Sequence, residues 1–359
     1  MKIAVHYFTG TGNTARAVAI MSELLLAAGH EVRVLRVRRG SLPPEGRFDL
    51  QVFAFCVLSW SAPVMMKHYL RSLPRIRGHA GGRAALLAVN GGMMVKGNFR
   101  KGYSGQALEQ AEGILRRRGY EVFLTDSASF PENWTQFVNP LGATEVEAAL
   151  PLGEEEVKGF VRRLLAGEAG LFRAGLVNRI WSGAVAFIFG CIGRRLLGKA
   201  YIADERCTAC GLCAATCPAG TIRMHGRQAG GNGRLPRWGA ACEDCNRCIN
   251  ICPEAAIQVS LPLLFLHIAG HAGLTIGAIR IFTIHLPELV RLSPPLQAVL
   301  TILFGLAAVY ICLWVELLVV DPLLQLLARL PGLRRFFLIS RTRGFRRYTA
   351  PGFKPAAKE

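Results

Sequence analysis

The chain has 359 residues, too many for one domain and enough for two or three. Half of it is apolar and its formal net charge is +19, so its partner surface is expected to be anionic: a membrane, an acidic protein or a nucleic acid. The opening residues lack a basic stretch followed by a long apolar core, so the N-terminus is expected in the cytoplasm; thiols stay reduced there, and eleven cysteines point to metal rather than a disulfide framework.

The first 165 residues alternate strand and helix. Residues 2–8, KIAVHYF, are a short apolar run before glycine-rich sequence, the mark of a buried parallel strand. A helix is expected over 13–28, with Ala17, Ile20, Met21, Leu24 and Leu25 on its apolar face. Residues 31–37 alternate and predict a strand nearer the sheet edge, while 50–58 are fully apolar and predict a central one. A helix over 65–73, a strand over 84–90, a helix over 104–118, a strand over 121–126 and a helix over 154–165 complete the series. Alternation of this kind predicts an α/β, doubly wound parallel sheet, with ligands at the carboxyl ends of the strands.

Thr9-Gly10-Thr11-Gly12-Asn13-Thr14 falls between the first strand and the first helix, where amides and hydroxyls converge on an anion. The loop has neither the lysine of the triphosphate-binding loop nor the dinucleotide spacing, so a single phosphate monoester held by neutral donors fits better. A polar turn that only caps the helix is the alternative. The loop resembles the phosphate loop of flavodoxins, which hold flavin mononucleotide (FMN). The resemblance implies that two later loops flank the flavin ring. One is residues 59–63, with Ser59 and Trp60; the other is residues 90–105, with Asn90, Gly91, Gly92 and Tyr103. Trp60 is the expected stacking partner of the ring, and Tyr103 the second. The later loop departs from the family pattern, carrying Lys96, Arg100 and Lys101 where an acidic residue is usual. Basic groups there are expected to favour an anionic reduced flavin.

Residues 207–222 and 242–257 repeat one pattern, Cys-x-x-Cys-x-x-Cys-x-x-x-Cys-Pro. This is the bacterial two-cluster ferredoxin spacing, in which the fourth cysteine of each run ligates the other run's cluster. Cys207, Cys210, Cys213 and Cys252 are expected to hold one 4Fe-4S cluster, and Cys242, Cys245, Cys248 and Cys217 the other. Zinc, the alternative, uses two Cys-x-x-Cys pairs with a longer gap. Arg206, Arg223 and Arg247 lie near ligands and are expected on the solvated surface. Cys56, Cys191 and Cys312, isolated in apolar runs, are expected to be inert thiols.

Residues 296–320 are 25 long with a single charge, Glu316, and predict a membrane span. Residues 261–285 are apolar but hold His267, His271, Arg280 and His285; a second span making a hairpin, or an interfacial segment, is expected. From Arg329 onward nine basic residues stand against one acidic, which places the tail in the cytoplasm. His267 and His271 share a helix face, where packing is favoured over haem, quinone or proton chemistry. Glu316 is a candidate partner for Arg280. Residues 176–193 are apolar with a short uncharged core and predict a helix that docks the first unit to the clusters or lies on the membrane.

The order of flavodoxin-like unit, apolar linker and two-cluster ferredoxin resembles the EFR1-type ferredoxins, fused flavodoxin–ferredoxin proteins. FTGTGNT at 8–14, FPENW at 130–134 and the double cysteine run carry the likeness, over residues 1 to about 260; the hydrophobic C-terminus is extra to the pattern. Five regions are expected: a flavodoxin-like FMN-binding domain over 1–168, an apolar docking linker over 169–200, a ferredoxin domain over 201–260, membrane segments over 261–325 and a basic tail over 326–359. The expected function is electron transfer between FMN and two 4Fe-4S clusters, with relay to a redox protein or quinone at the cytoplasmic face of the inner membrane. The alternative is an oxidoreductase acting at the flavin on a quinone or small molecule. Nucleic acid is not expected, because the sequence shows no recognition helix or aromatic–basic patch.

Overall fold

The structure, a computed structural model, describes residues 1–76, 82–225, 234–289 and 293–355. The first unit comprises β1 (Lys2–Phe8), α1 (Asn13–Ala27), β2 (Glu31–Arg36), β3 (Leu50–Cys56), α2 (Val64–Ser72), β4 (Arg83–Val95), β5 (Asn98–Arg100), α3 (Ala107–Arg117), β6 (Glu121–Pro131) and α4 (Ala143–Leu165). Five strands pair in parallel in the order β2-β1-β3-β4-β6. This is the flavodoxin-like order of doubly wound sheets, with its switch point between β1 and β3. Val5, Val52 and Leu87 pack under α1 and α4, while Phe53, Phe55 and Leu86 pack under α2 and α3. Burial on both faces is why the strands read as unbroken apolar runs.

Residues 90–105 do not form the single loop expected. β4 continues through Gly91 and Gly92, paired with β6 as far as Pro131, and turns at Lys96-Gly97 into antiparallel β5. Both turn residues take left-handed backbone (φ 50° and 77°), the two-residue hairpin turn whose twist suits its strands. Lysine at the first turn position masks that signal. α4 begins at Ala143 rather than at residue 154, carrying Pro151 in its interior, and the Glu145 carboxylate accepts from the Gly142 amide at its start (2.8 Å).

An apolar helical stretch follows: α5 (Leu176–Ile188), a wide π turn (Phe189–Gly193) and α6 (Arg194–Lys199). In the cysteine-rich unit β7 (Tyr201–Ala203) pairs antiparallel with β10 (Ile257–Val259), and β8 (Ile222–His225) with β9 (Leu235–Trp238). Short helices α7 (Leu212–Ala215) and α8 (Arg247–Ile251) lie within the two cysteine runs. α9 (Leu261–Leu289) then packs on α10 (Pro294–Val315), which continues through a second π turn (Glu316–Val320) into α11 (Asp321–Leu327); α12 (Pro331–Phe337) follows. Phe282 and Phe304 stack across the α9–α10 pair, 3.9 Å between ring centroids. Three stretches, Leu176–Lys199, Leu261–His285 and Pro294–Leu327, are long and apolar enough to cross a membrane, one more than the hairpin expected.

The C-terminal segment folds back over both units. The Arg346 amide donates to Asn139 Oδ1 (2.8 Å), the Tyr348 amide to Asn250 Oδ1 (2.8 Å) and the Ala350 amide to the Thr11 carbonyl (2.9 Å). Its arginines bind carbonyls: Arg346 Nε that of Pro140 (2.8 Å), Arg347 Nη2 that of Ile257 (3.1 Å).

Candidate functional site

The 9–14 loop lies at the carboxyl edge of β1 and feeds the N-terminus of α1, whose first amides lack partners within the helix. Gly12 takes φ 113°, a conformation L side chains avoid, and its amide donates to Thr9 Oγ1 (3.1 Å). Thr14 Oγ1 is buried with no hydrogen-bond partner. A bound phosphate oxygen would satisfy that orphan hydroxyl, so these residues fit the group. A cavity of about 500 Å³ opens beside the loop, within the range of cofactor pockets. Thr9, Gly10, Thr11, Asn13, Thr14, Ser59, Trp60, Asn90, Gly91 and Tyr103 line it. Gly12 and Gly92 do not. A Cβ at Gly12 would strike Phe353 and Ala350, and one at Gly92 would strike Phe99 and the Arg100 carbonyl. Asn13 is held structurally: its Nδ2 donates to the Pro131 carbonyl (3.0 Å) and its Oδ1 accepts from Tyr348 Oη (2.6 Å).

Ser59 and Trp60 occupy left-handed backbone in succession (φ 46° and 59°), a strain of about 1–3 kcal/mol each that sites store where they present a side chain. Much of the wall was not expected from the sequence, including Cys56, Glu132, Asn133, Trp134, Trp181, Val185, Phe189, Asp244 and Asn246. FPENW signalled the Glu132–Trp134 portion without giving it a role. Lys96, Arg100 and Lys101 are not on the wall, and Lys101 pairs with Glu156. The hairpin turn carries that basic stretch away, and the carboxylates of Glu132 and Asp244 stand at the cavity instead, so the expected cationic surroundings of the ring are not found. Burial pushes the Asp244 carboxyl up to about 8, against hydrogen bonds from Trp134 and Tyr201. Burial likewise pushes the Cys56 thiol up to about 12, which keeps it inert.

The two cysteine runs share more than spacing. Ala209 and Asp244, Gly211 and Asn246, and Gly220 and Ala255 occupy equivalent offsets, and all six take positive φ. Each run therefore bends the same way at three matched positions. Cys213 feels the charge of Cys207, Cys252 and Cys210, and Cys207 that of Cys252 and Cys210. Cys245 feels Cys217, Cys242 feels Cys245 and Cys217, and Cys248 feels Cys242, Cys245 and, more weakly, Cys213. Each run's fourth cysteine thus lies within charge range of the other run, Cys252 of Cys207 and Cys213, and Cys217 of Cys242 and Cys245. Among the described residues no three Cys, His, Asp or Glu groups converge closely enough for a single ion; a cube spreads its four thiolates further apart. Burial pushes the Cys213 and Cys245 thiols up to about 12, so only a cationic guest keeps them ionised as ligands. Trp238 Nε1 donates to Cys248 Sγ (3.3 Å) and the Ala256 amide to Cys252 Sγ (3.3 Å), bonds of the kind that tune cluster potentials.

The second run is clamped onto the sheet. Arg247, expected on the surface, is 1% exposed. Its Nε donates to the Gly10 carbonyl (2.7 Å), Nη1 to that of Thr216 (2.8 Å) and Nη2 to that of Thr9. The Glu243 carboxylate accepts from the Val64 and Met65 amides (2.9 and 3.1 Å), capping α2 from the other unit. Trp134 Nε1 donates to Asp244 Oδ2 (3.2 Å). A Cβ on Gly10 would lie 2.4 Å from the Cys245 carbonyl oxygen, so loop and ligand run touch through backbone. Cys245 is itself part of the cavity wall.

In the helical pair the expected Glu316–Arg280 contact is not formed. Arg280 is exposed, and Glu316 Oε1 lies 2.7 Å from His267 Nδ1, both residues being fully buried. His271 is buried on the same face and His285 is exposed.

Residues 206–257 match the family model described as a 4Fe-4S dicluster domain. No curated protein matches the chain. Among solved structures, a flavodoxin from the domain Archaea is 14% identical, covering 45% of this chain and 99% of its own, with a TM-score of 0.28. The Streptococcus pneumonia TIGR4 flavodoxin is 13% identical over 46% of this chain and 99% of its own (TM-score 0.31). A putative quinone reductase from Klebsiella pneumoniae is 17% identical over 48% and 88% (TM-score 0.28). The strand order gives the first unit its flavodoxin-like character. The chain therefore joins a unit of flavodoxin-like fold to a segment that matches a 4Fe-4S dicluster domain.

Proposed function

We propose that the protein is a membrane-attached iron–sulfur flavoprotein that passes electrons between FMN and two 4Fe-4S clusters, and relays them to or from a redox partner. One observation carries the reading: the wall of the phosphate-loop cavity includes Cys245 of the second cysteine set. Flavin exchanges one or two electrons and each cluster one, and the protein contributes position and tuning. Thr9, Thr11 and Thr14 hold the phosphate end; Trp60, Tyr103 and Trp134 border the ring. Arg247 and Glu243 fix the distance between loop and cysteine run. Fixing both groups in one chain replaces a chance encounter by an intramolecular step. The helical pair anchors the assembly in the inner membrane, with the redox units and basic C-terminal segment on the cytoplasmic face.

A second reading, an oxidoreductase working at the flavin on a lipophilic acceptor such as a quinone, draws on α5. Trp181 and Val185 of that helix line the cavity, while Leu176, Val177, Phe187 and Ile188 are exposed. Exposed apolar residues on a helix that also lines the cavity support entry of a lipophilic acceptor there.

The test is anaerobic purification in detergent with iron, sulfide and flavin analysis. About eight irons and one FMN per chain are expected. Zinc in place of iron would end the reading, and iron without flavin would reduce the first unit to a docking domain. Turnover with a quinone analogue, set against reduction of protein acceptors, separates carrier from enzyme.

A further inference from the structure

A chain of buried polar groups runs from the helical pair to the second cysteine set. Glu316 Oε1 lies 2.7 Å from His267 Nδ1, and His267 Nε2 lies 3.7 Å from Asp321 Oδ1. Asp321 Oδ2 accepts from Lys199 Nζ (2.7 Å) and faces Arg237 Nη2 (3.4 Å). Lys199 Nζ also donates to the carbonyl of Trp238 (2.9 Å), the residue whose indole donates to Cys248 Sγ. Polar side chains between helices can be simple glue. Glue leaves few atoms unsatisfied, because each buried orphan gives up its hydrogen bonds to water without replacing them. Here His267 Nε2, Glu316 Oε2, Asp321 Oδ1, His271 Nδ1 and Thr275 Oγ1 are all buried without partners. They follow one face of α9, at residues 267, 271 and 275, and the two acids opposite.

We infer that His267 is the centre of a proton relay, taking a proton from the Asp321 side and passing it towards Glu316 when negative charge arrives beside Cys248. An imidazole with a carboxylate at each nitrogen can accept a proton at Nε2 while releasing one from Nδ1. The proton enters at Asp321 through the one-third-exposed Arg237 edge and rests on the His267–Glu316 pair. One electron arriving at the cysteine set is thereby matched by one proton taken from water. The charged and titratable groups facing His267 are Glu316, Asp321, Lys199 and Arg237, with His271 on its own helix; Arg334 of the adjoining α12 binds the Ala203 carbonyl instead. Gly270 makes the site tight: a Cβ there would lie 3.1 Å from Glu316 Oε2, so the carboxylate packs directly on the helix backbone and leaves no space for a headgroup.

The inference rests on the cluster-binding reading above, and the test keeps the two apart. The full chain, purified anaerobically in detergent, is titrated potentiometrically under electron paramagnetic resonance from pH 6 to 8.5. Absence of reduced-cluster signals sinks the cluster reading. If the signals are present, one of them is expected to shift by about 59 mV per tenfold change in proton concentration, the one-electron, one-proton value. His267→Gln keeps hydrogen bonding at the site but cannot relay, and is expected to flatten that slope while iron content and melting temperature hold. Glu316→Gln serves as the second variant should the first not fold. A pH-independent potential in the parent, or a slope retained in either folded variant, overturns the relay.

Discussion

Arg247 offers the sharpest test of how the two redox units are joined. Its guanidinium donates to three carbonyls, two of them in the phosphate loop, from a position 1% exposed. Arg247→Met keeps much of the volume and removes all three bonds. Each orphaned buried carbonyl costs about 1–3 kcal/mol, and relief from burying the charge offsets part of the total. Burial already lowers the guanidinium's proton affinity, against attraction from Cys245 and Cys217, which measures that burial cost. The net loss falls at about 3–5 kcal/mol, towards the low end of the sum over three orphaned carbonyls. At about 2–4 °C per kcal/mol for units of this size, the melting temperature drops by roughly 10 °C. Because Thr9 and Gly10 lose their support together, FMN is expected to bind at least about tenfold more weakly, as a 1.4 kcal/mol share of the loss requires. Arg247→Lys keeps the charge but not the fork, and falls between. Thermal melts followed by flavin fluorescence, with FMN titration of the stripped protein, read both effects. A methionine variant that melts within about 2 °C of the parent and holds flavin equally well refutes the clamp.

Gly10→Ala sets a methyl 2.4 Å from the Cys245 carbonyl oxygen, a clash that only a backbone shift relieves. Iron content is expected to hold while the flavin-to-cluster rate after flash reduction falls at least about tenfold, the effect of a small misplacement between reacting centres; an unchanged rate argues against contact at this point. Cys252→Ala and Cys207→Ala are expected to remove the same cluster, about four of eight irons, with no further loss in the double variant; additive loss by iron analysis indicates uncrossed ligation. His6 is buried in β1 between Tyr69 and Gln51, and burial lowers its imidazole to about 4. The unfolded chain takes up that proton near pH 6.5 and the folded one only near 4, so stability falls as pH drops through this window, by about 3 kcal/mol in all. His6→Asn is expected to flatten the decline of the urea midpoint between pH 6.5 and 4; an identical slope sinks the assignment.

The sheet and the cysteine runs were legible for local reasons. Strands buried on both faces must be apolar throughout, and short turns carrying converging thiols need fixed spacing. The joins between units were not legible, because no local pattern encodes them. Arg247 reads as one more arginine beside a ligand until Thr9 and Gly10, more than two hundred positions away, are seen beneath it. Glu243 caps a helix 179 positions earlier. His267 and Glu316, 49 apart, meet only because the intervening chain doubles back. The Lys96-Gly97 turn was hidden by a residue seldom chosen for left-handed backbone. The C-terminal segment looked like a loose basic tail because nine charges dominate it, yet Ala350 and Tyr348 fasten it to the phosphate loop through one amide and one hydroxyl.

These joins also decide how three apolar stretches can meet one bilayer. If Leu176–Lys199 crossed, the sheet before it and the cysteine runs after it would stand on opposite faces, about 30 Å of hydrocarbon apart. They touch instead through Gly10 and Cys245, Arg247 and Thr9, and Glu243 and Val64. That stretch therefore stays on one side, with Trp181 and Val185 turned to the cavity and Val177 and Phe187 turned outward. The α9–α10 pair is under no such restraint. Its chain leaves the cysteine unit at Leu261, whose amide donates to the Ile339 carbonyl (2.9 Å), and the returning segment reaches Thr11 at Ala350. Both ends come back to the same surface, so any crossing of a bilayer by this pair is even in number, and two crossings agree with every contact that joins the units.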